Sequence, residues 1–481
     1  MARFRPLHTA AAYFSNRHLR IALIVAGAFF MENLDATIIV TALPSMAESF
    51  ATTASRMSLG ITAYALATAA CIPASGWLAD RLGARNVFAS AIGVFTLASA
   101  GCGASPSFAT FIAARIAQGA AAALMSPVGR LAVLRTTEKR DLMQALSMLV
   151  WPALFAPVIG PPLGGFITSA ASWRWIFYVN VPLGLAGIAL VLAFIPNQRA
   201  SERASFDGRG FTLLAVALGC LTYGLDAIGT REVDATLAVM LLAAALAAGV
   251  LAVRHLETAS HPIVSLRVLR VRTFFVACVS GGTLSRAAIS ATPFLLPLMF
   301  EVGFGLSPVA AGVLLLIYMS ANLGMKTVTN PILRRFGMRN VLVFNGTIAC
   351  ASIAACALIS PSLPWPLTGA ILLIAGGSRS MQFTGLTFIS FADIEPPERA
   401  AASVLSSLTQ QISMGMGVAV GALMLNFSRL VRHAAALGIE DFRIALVLAA
   451  LLGAFALVPY ARLARDAGAE ISGHRPRAST G

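Results

Sequence analysis

Long apolar stretches alternate along the chain with short connections that carry most of its charged residues. An apolar stretch of about 20 residues is long enough for a helix to cross the hydrocarbon core of a bilayer. We count fourteen such stretches, at approximately 20–43, 57–79, 87–104, 107–131, 143–169, 175–196, 209–228, 234–253, 273–300, 306–330, 339–360, 364–390, 400–426 and 442–463. The pattern predicts an all-α, polytopic membrane protein with fourteen transmembrane helices.

Two polar linkers divide these stretches into groups of six, two and six. We therefore predict an N-terminal six-helix bundle over residues 1–196, linkers with two inserted helices over 197–272, a C-terminal six-helix bundle over 273–465, and a polar tail over 466–481. Because the tail is short and polar, we expect it to be disordered.

Composition supports the membrane assignment. Hydrophobic residues make up 58% of the 481 residues and charged residues 11%, against roughly 45–50% and about 25% in ordinary soluble domains. A net charge of +15 would suggest nucleic acid as a partner of a soluble protein. Here the basic residues lie between apolar stretches, so we expect the lipid bilayer and no nucleic acid as a partner. The sequence identifies no protein partner.

The basic residues also predict the orientation of the chain. If the N-terminus is cytoplasmic, the outer connections carry only Arg56, Arg174, Arg231, Arg429, Arg432 and Arg443, and the inner connections carry most of the rest. Cytoplasmic loops are enriched in Lys and Arg, so we predict a cell inner membrane protein with both termini in the cytoplasm. The first stretch is too long for a signal-peptide core and contains two acids, which indicates a retained helix.

Those two acids, Glu32 and Asp35, are three residues apart and therefore share one face of the first helix. A carboxylate buried in a membrane is costly, so each is a candidate for loading and releasing a proton. We predict Asp35 as the proton-coupling site, with Glu32 secondary. The alternative is a structural acid that stays ion-paired throughout.

Four basic residues also lie inside apolar stretches, where a charge costs at least about 2.5–3.5 kcal/mol at the helix centre. They are Arg115, Arg286, Lys326 and Arg379. We predict that Arg115 biases the protonation of an acid, although a structural bridge to a carbonyl is also open. We predict that Arg286, Arg379 and Lys326 bind substrate. In the alternative, the arginines bind backbone carbonyls or helix ends, and Lys326 extends to the interface.

These bases outnumber the two acids, so the predicted translocation zone is positive. A positive zone repels lipophilic cations and favours anionic, zwitterionic or neutral compounds. The predicted partners are therefore a small-molecule substrate and protons.

A charged connection recurs in both halves of the chain. The first copy runs from Gly76 to Val87 and includes Asp80, Arg81, Gly83 and Arg85. The second runs from Asn330 to Val341 and repeats the order Gly-x-Arg-Asn-Val. A repeat of this kind indicates a duplicated helical bundle, the architecture of many transporters.

The fifth stretch combines prolines with closely spaced glycines. It contains Pro157, Gly160, Pro161, Gly164 and Gly165. Gly160 and Gly164 lie one turn apart, so another helix can approach this face closely. The pattern predicts a gate or seal.

Several of these segments together resemble a known family. The run Leu34-Asp35-Ala36-Thr37 to Pro44 resembles the first-helix signature of the fourteen-helix drug:proton antiporters of the major facilitator superfamily, the EmrB/QacA-like subfamily. The matching segments are the connection Gly76 to Arg85, Arg115-x-x-Gln118-Gly119, Gly160-Pro161-x-x-Gly164-Gly165, and Trp173 to Pro182. The second half is similar to the MdtD-like subgroup through Ser285-Arg286, Gly324-Met325-Lys326 and Ser378-Arg379-Ser380.

The resemblance implies proton-coupled efflux of small amphipathic compounds by alternating access. It implies that Asp35 couples protons or substrate, that Arg115 influences proton transfer, and that Gly160 to Gly165 line the interface between bundles. Asp80 and Arg81 would join a charge network that holds the bundles together on the cytoplasmic side. The second copy of the connection departs from the pattern, with Arg334 where the acid would be, so a symmetrical latch is not expected.

The energy source follows from motifs that the sequence lacks. It has no Gly-x-x-x-x-Gly-Lys-Ser/Thr phosphate loop, so we expect no ATP-driven step, and we predict no cofactor and no metal site. Proton symport that imports a small solute stays open as an alternative. Two other classes are a membrane-embedded enzyme, which we do not expect, and a nontransporting membrane sensor.

Overall fold

The computed structural model describes residues 17–199, 205–229, 235–433 and 437–474. Within them the secondary structure is helical, and no strand is present. The chain divides into two compact units, Met1–Ser205 and Phe206–Gly481. The all-α fold predicted from the sequence is confirmed.

The first unit holds ten α-helices in its described part. They are α1 (Arg17–Ile38), α2 (Leu43–Ser49), α3 (Ala54–Met57), α4 (Leu59–Cys71), α5 (Ala74–Leu82), α6 (Ala84–Ala104), α7 (Phe108–Thr136), α8 (Lys139–Ala170), α9 (Trp175–Tyr178) and α10 (Asn180–Phe194), with a 3₁₀ turn over Ile39–Ala42. Helix α1 packs along α8, α4 packs along α7, and α6 packs along α7 and α10.

The second unit holds eleven α-helices in its described part. They are α11 (Gly208–Gly229), α12 (Ala235–Thr258), α13 (Arg272–Phe275), α14 (Gly281–Leu298), α15 (Pro308–Phe336), α16 (Met338–Cys356), α17 (Trp365–Ser390), α18 (Arg399–Val431), α19 (Ile439–Phe455), α20 (Leu457–Ala461) and α21 (Ala469–Ser472). Leu266–Arg270 and Pro396–Glu398 are 3₁₀ turns, and Val276–Ser280 and Met299–Gly303 are π-helical. Helix α15 packs along α17, and α14 packs along α18.

Eleven spans in the described residues are long and apolar enough to cross a membrane, and α4 with α5 forms a twelfth if this bent pair is one span. That pair bends by 59° where Pro73 precedes α5, because a proline removes a helical hydrogen bond. Gly76 is buried in α5. The count of fourteen transmembrane helices therefore stays a prediction.

Helices α11 and α12, which the sequence predicts as an inserted pair, pack against each other, and α11 also packs on α18. Their insertion between two six-helix bundles stays a prediction. Asp207 caps the start of α11, since its carboxylate accepts a hydrogen bond from the backbone N–H of Gly210 at 2.8 Å. The same carboxylate accepts one at 3.2 Å from the backbone N–H of Ile263, which lies after α12. His255 lies 2.8 Å from the same carboxylate. Burial acts to raise the pKa of Asp207, but these hydrogen bonds outweigh it and lower that pKa below its ordinary value.

The repeated connection forms the same tight turn in both units. Gly83 joins α5 to α6 with φ of +93°, and Gly337 joins α15 to α16 with φ of +79°. A positive φ strains any residue with a side chain, so glycine suits both turns.

The tail is ordered further than the sequence predicts. Ile471 in α21 is buried, and His474 Nδ1 lies 3.0 Å from the backbone oxygen of Arg334. The prediction of disorder after Ala467 is therefore wrong for residues 468–474, because Ile471 packs and the backbone oxygen of Arg334 is within reach of His474. Residues 475–481 lie outside the described part of the chain.

Candidate functional site

Asp35 and Arg115 form a buried ion pair in the first unit. Asp35 lies near the end of α1 and Arg115 in the first half of α7. The Nη1 group of Arg115 donates to Oδ2 of Asp35 at 2.7 Å, and both side chains are buried. The sequence could not show whether these residues approach each other, and the structure brings them into direct contact.

Neutral polar side chains complete the surroundings of the carboxylate. Oδ1 of Asp35 accepts hydrogen bonds from Gln118 Nε2 at 2.8 Å and from Asn180 Nδ2 at 2.9 Å. Both amides also donate to Ser99 Oγ, at 2.7 and 3.3 Å. Because Asp35 is on α1, Gln118 on α7 and Asn180 on α10, the carboxylate links three helices directly. The two amides extend this network to Ser99 on α6, a fourth helix. We call these four residues and Arg115 the Asp35 cluster.

A fifth helix, α4, contacts the same arginine. Arg115 Nε donates to the backbone oxygen of Gly60 at 3.2 Å, and its guanidinium lies 4.4 Å from the ring centroid of Tyr64. The backbones are close here because residue 119 is glycine. A Cβ on Gly119 would lie 3.0 Å from the Cβ of Ala67 and would collide with the carbonyl of Tyr64.

Glu32 has a different environment from Asp35, although it lies one helical turn away. Its side chain is only partly buried, and it accepts a hydrogen bond from the hydroxyl of Ser126 at 2.9 Å. The charge of Arg130 also acts on this carboxylate. Glu32 differs from Asp35 in its partial exposure.

The charged connection of the first unit makes contacts inside that unit. Asp80 accepts a hydrogen bond from Arg135 Nη2 at 2.5 Å. Arg81 lies 5.2 Å from the ring centroid of Trp77, and Arg85 bonds the side chain of the next residue. The bundle-holding role that the resemblance implies for Asp80 and Arg81 stays a prediction, since these contacts show cohesion within one unit.

The glycines of α8 allow α1 to approach it. A Cβ on Gly160 would lie 3.0 Å from the Cβ of Thr37, and one on Gly164 would lie 2.6 Å from the backbone oxygen of Ile38. A Cβ on Gly165 would meet nothing within 4 Å. These glycines therefore fix the position of the helix that carries Asp35. Pro157 and Pro161 lie in the same helix, and a gating role for this motif stays a prediction.

Arg286 in the second unit is buried and bound to a backbone carbonyl. Its Nη1 donates to the oxygen of Ala277 at 2.9 Å, within the π-helical segment that precedes α14. A Cβ on Gly282 would lie 3.1 Å from this Nη1. This geometry matches the structural alternative raised from the sequence, and substrate binding by Arg286 stays a prediction.

Lys326 and Arg379 lie across the α15–α17 contact. Lys326 Nζ donates to the Thr384 hydroxyl and, at 3.5 Å, to the backbone oxygen of Ser380. Arg379 lies 5.9 Å from the ring centroid of Tyr318 and 5.5 Å from that of Phe383. Within the part of the chain that the structure describes, neither cation forms an ion pair with a carboxylate.

Sequence reasoning missed the neutral members of both sites. Ser99, Asn180 and Thr384 are ordinary polar residues in apolar stretches, and each costs too little alone to draw attention. Asn180 lies in the Trp173 to Pro182 segment that carries the family resemblance, and Gln118 lies in the segment Arg115-x-x-Gln118-Gly119. The order of those motifs was the available signal.

Comparisons with known proteins agree on one family. A family model described as Major Facilitator Superfamily matches residues 25–418. Multidrug resistance protein MdtD of Serratia proteamaculans is 39% identical, over 84% of this chain and 84% of its own. Its namesake in Cronobacter sakazakii is 36% identical, over 84% of this chain and 85% of its own.

Solved structures show the same fold at low sequence identity. The human organic anion transporter MFSD10 aligns with a TM-score of 0.66 at 14% identity, over 92% of this chain and all of its own. The proton:xylose symporter XylE aligns with a TM-score of 0.63 at 15% identity, over 93% and 95%. At such identities the likeness shows the fold alone.

Proposed function

The chain belongs to the major facilitator superfamily and is a multi-pass membrane transporter related to MdtD proteins, and from this premise we propose that it exports small amphipathic compounds in exchange for protons. The site would open alternately to the two sides of the membrane. We propose a bacterial inner membrane location with both termini cytoplasmic, which the basic inner connections support. We also propose that the chain is a transporter without enzymatic activity.

The observation that carries the proposal is the Asp35 cluster. A buried ion pair is stable only while both charges remain, since removing one leaves the other uncompensated in a medium of low polarity. A proton that reaches Oδ2 of Asp35 would cancel the carboxylate charge and take the position of the hydrogen bond from Arg115. Because the carboxylate of α1 directly links α7 and α10, one proton would loosen the contacts among these three helices together.

Glu32 supports the same proposal as an exchange site. It lies on the same face of α1, it is partly buried, and the Ser126 hydroxyl donates to it. We propose that Glu32 takes up the proton first and that Asp35 converts its arrival into a change in helix packing. When the proton leaves, Arg115 pairs with Asp35 again and the starting arrangement returns.

Exchange is preferred to symport because of two observations. The Gly160 to Gly165 segment resembles the motif of antiporters, and the glycines bring α8 against the helix that carries Asp35. The MdtD relatives are named for multidrug resistance, which requires export. Proton-driven import of a small solute is the alternative within transport.

The proposal is tested in liposomes that contain the purified protein and a pH-sensitive dye. Anionic, neutral and cationic amphiphiles are added under an imposed proton gradient, and Asp35→Asn is compared with the unmodified chain. Gly249→Ala in α12 is the control, because it lies outside the Gly160 to Gly165 segment and a Cβ there would meet no described atom within 4 Å. We expect substrate-triggered proton movement opposite to substrate, absent in Asp35→Asn and retained in the control. Proton movement with substrate would establish symport, and absence of flux for every compound would favour a sensor.

A further inference from the structure

The contact between α15 and α17 collects polar groups that the proton-coupling proposal does not use. Tyr318, Asn322 and Lys326 follow each other at intervals of four residues, so they form one stripe along α15. All three side chains are at least nine-tenths buried. Arg379 and Thr384 on α17 contact this stripe.

Two cations meet here with only neutral partners among the described residues. Lys326 donates to a hydroxyl and to a carbonyl. The Arg379 guanidinium lies 5.9 Å from the Tyr318 ring centroid and 5.5 Å from that of Phe383, and its charge acts on Lys326. Two like charges in a nonpolar setting repel each other and lack compensation, which is a costly arrangement. A bound negative charge would remove that cost.

Unused hydrogen-bonding atoms lie at the same helix contact. Arg379 Nη1, Ser380 Oγ and Asn322 Oδ1 are buried, and none of them has a hydrogen-bond partner among the residues that the structure describes. Buried polar atoms in proteins are nearly always hydrogen-bonded, so unused atoms beside two cations indicate a ligand. Arg379 and Ser380 supply donors suited to anionic oxygens. The Asn322 oxygen would accept a hydrogen bond from the ligand or, with its amide turned over, the Asn322 nitrogen would donate one.

Two aromatic rings near Arg379 indicate the apolar part of the ligand. They belong to Tyr318 and Phe383, and a flat apolar group can stack on such rings. At the α15–α17 contact, the groups that would bind a negative charge therefore lie next to apolar aromatic rings.

We propose that Lys326, Arg379 and Ser380 bind the carboxylate or sulfonate of an amphipathic organic monoanion, whose apolar ring lies on Tyr318 and Phe383. We name these five residues the α15–α17 seat. The inference rests on the proposed transport function, because it names the class of substrate. It leaves Arg286 outside the seat, since that side chain already binds the carbonyl of Ala277.

The test is equilibrium binding without any gradient, so it is independent of proton coupling. The probe is tritiated 2-naphthalenesulfonate, whose charge does not change with pH, measured on the full chain in phosphatidylcholine nanodiscs. Neutral 2-naphthalenesulfonamide and cationic trimethyl(2-naphthyl)ammonium carry the same ring. We expect the anion to bind roughly tenfold to a hundredfold more tightly than the amide, the usual range for hydrogen bonds to a charged group, and the cation to bind least. Equal binding of all three probes would overturn the proposal.

Variants locate the site. Lys326→Met keeps the length of the apolar stem and Arg379→Gln keeps a planar polar end, and each should weaken anion binding roughly tenfold or more. Arg335→Gln removes an exposed cation from the same helix and should bind like the unmodified chain. Arg379→Lys retains charge without the planar fork, so it should bind better than Arg379→Gln. Unchanged binding in folded Lys326→Met and Arg379→Gln would refute the seat.

An anionic lipid headgroup could supply the same chemistry, and a second arm separates the two sources. Phosphatidylglycerol is added to the nanodiscs in steps. We expect anion affinity to change less than threefold. Loss of sulfonate binding as this lipid increases would show that a lipid occupies the seat and would contradict the proposal. Proton coupling can fail in the flux assay while anion binding survives, so the two proposals can be overturned separately.

Discussion

Arg115 in the first unit and Arg379 in the second both lie near a tyrosine of a neighbouring helix. Their guanidinium groups are 4.4 Å from the Tyr64 centroid and 5.9 Å from the Tyr318 centroid. Arg115 also has Asp35 at 2.7 Å, whereas Arg379 has Lys326 as its charged neighbour. A cation with an internal acid can respond to a proton. A cation without one is suited to a charge that arrives with a ligand.

The largest expected effect comes from removing the internal acid. Asp35→Asn leaves Arg115 buried without a counter-charge, which should cost about 3–5 kcal/mol of stability. Adding Arg115→Met removes the uncompensated charge, so the double variant should recover most of that loss. Thermal unfolding of the purified proteins measures both. A double variant less stable than Asp35→Asn would show that the charge balance is not what holds the cluster.

Supplying an acid to the second unit should make it resemble the first. Asn322→Asp places a carboxylate one turn from Lys326 on the same face of α15. That carboxylate should compete with the ligand and weaken 2-naphthalenesulfonate binding by roughly tenfold to a hundredfold. Asn322→Ser, which adds no charge, is the matched control. Equal loss in both variants would point to shape and not charge.

Substitutions that disturb helix packing should distinguish the Asp35 cluster from the α15–α17 seat, with smaller effects than the charge changes. Gly160→Ala presses on α1 at Thr37, and Gly376→Ala presses on the Tyr318 carbonyl of α15. Overpacking costs about 1–3 kcal/mol. We expect Gly160→Ala to slow proton exchange and to leave anion binding intact. We expect Gly376→Ala to weaken anion binding and, with it, the proton exchange that the anion drives. Gly249→Ala in α12, where a Cβ would meet no described atom within 4 Å, should change neither. Loss of anion binding in Gly160→Ala would mean that the regions are not separable.

The smallest expected effect on stability is that of Glu32→Gln. Its partner is the Ser126 hydroxyl, and the amide can still accept that hydrogen bond, so stability should change by less than about 1 kcal/mol. Proton exchange should nevertheless slow, because Gln cannot carry a proton at physiological pH. Exchange at the unmodified rate would remove Glu32 from the pathway and leave Asp35 as the only candidate on α1.

The cost of a charge in a membrane was enough to find the ionised members of both sites from the sequence. Arg115 and Arg286 are among the largest fully buried side chains, and Lys326 is buried as well. What each cation contacts could not be predicted, because a contact between distant helices leaves no local pattern. Arg286 illustrates this, since its Ala277 acceptor becomes available in a π-helical segment that apolar periodicity does not reveal.

The all-α membrane fold could be predicted because apolar length and charged connections repeat throughout the chain. The number of spans could not be confirmed in the same way. Helices α8 and α17 are 32 and 26 residues long, yet neither is among the candidate spans in the described residues. In the tail, the structure shows more order than the sequence predicts. One apolar residue, Ile471, was too weak a signal to predict that α21 packs.

The central claim is that proton response and anion binding reside in different clusters. It is tested most directly by following ligand and proton together in liposomes of the unmodified protein, Asp35→Asn and Lys326→Met, with a 2-naphthalenesulfonate gradient as the only driving force. We expect opposed movement of anion and protons in the unmodified protein. We expect anion binding without proton movement in Asp35→Asn, and neither in Lys326→Met. Proton exchange that persists in folded Asp35→Asn, or that survives with full anion binding in Lys326→Met, would contradict it.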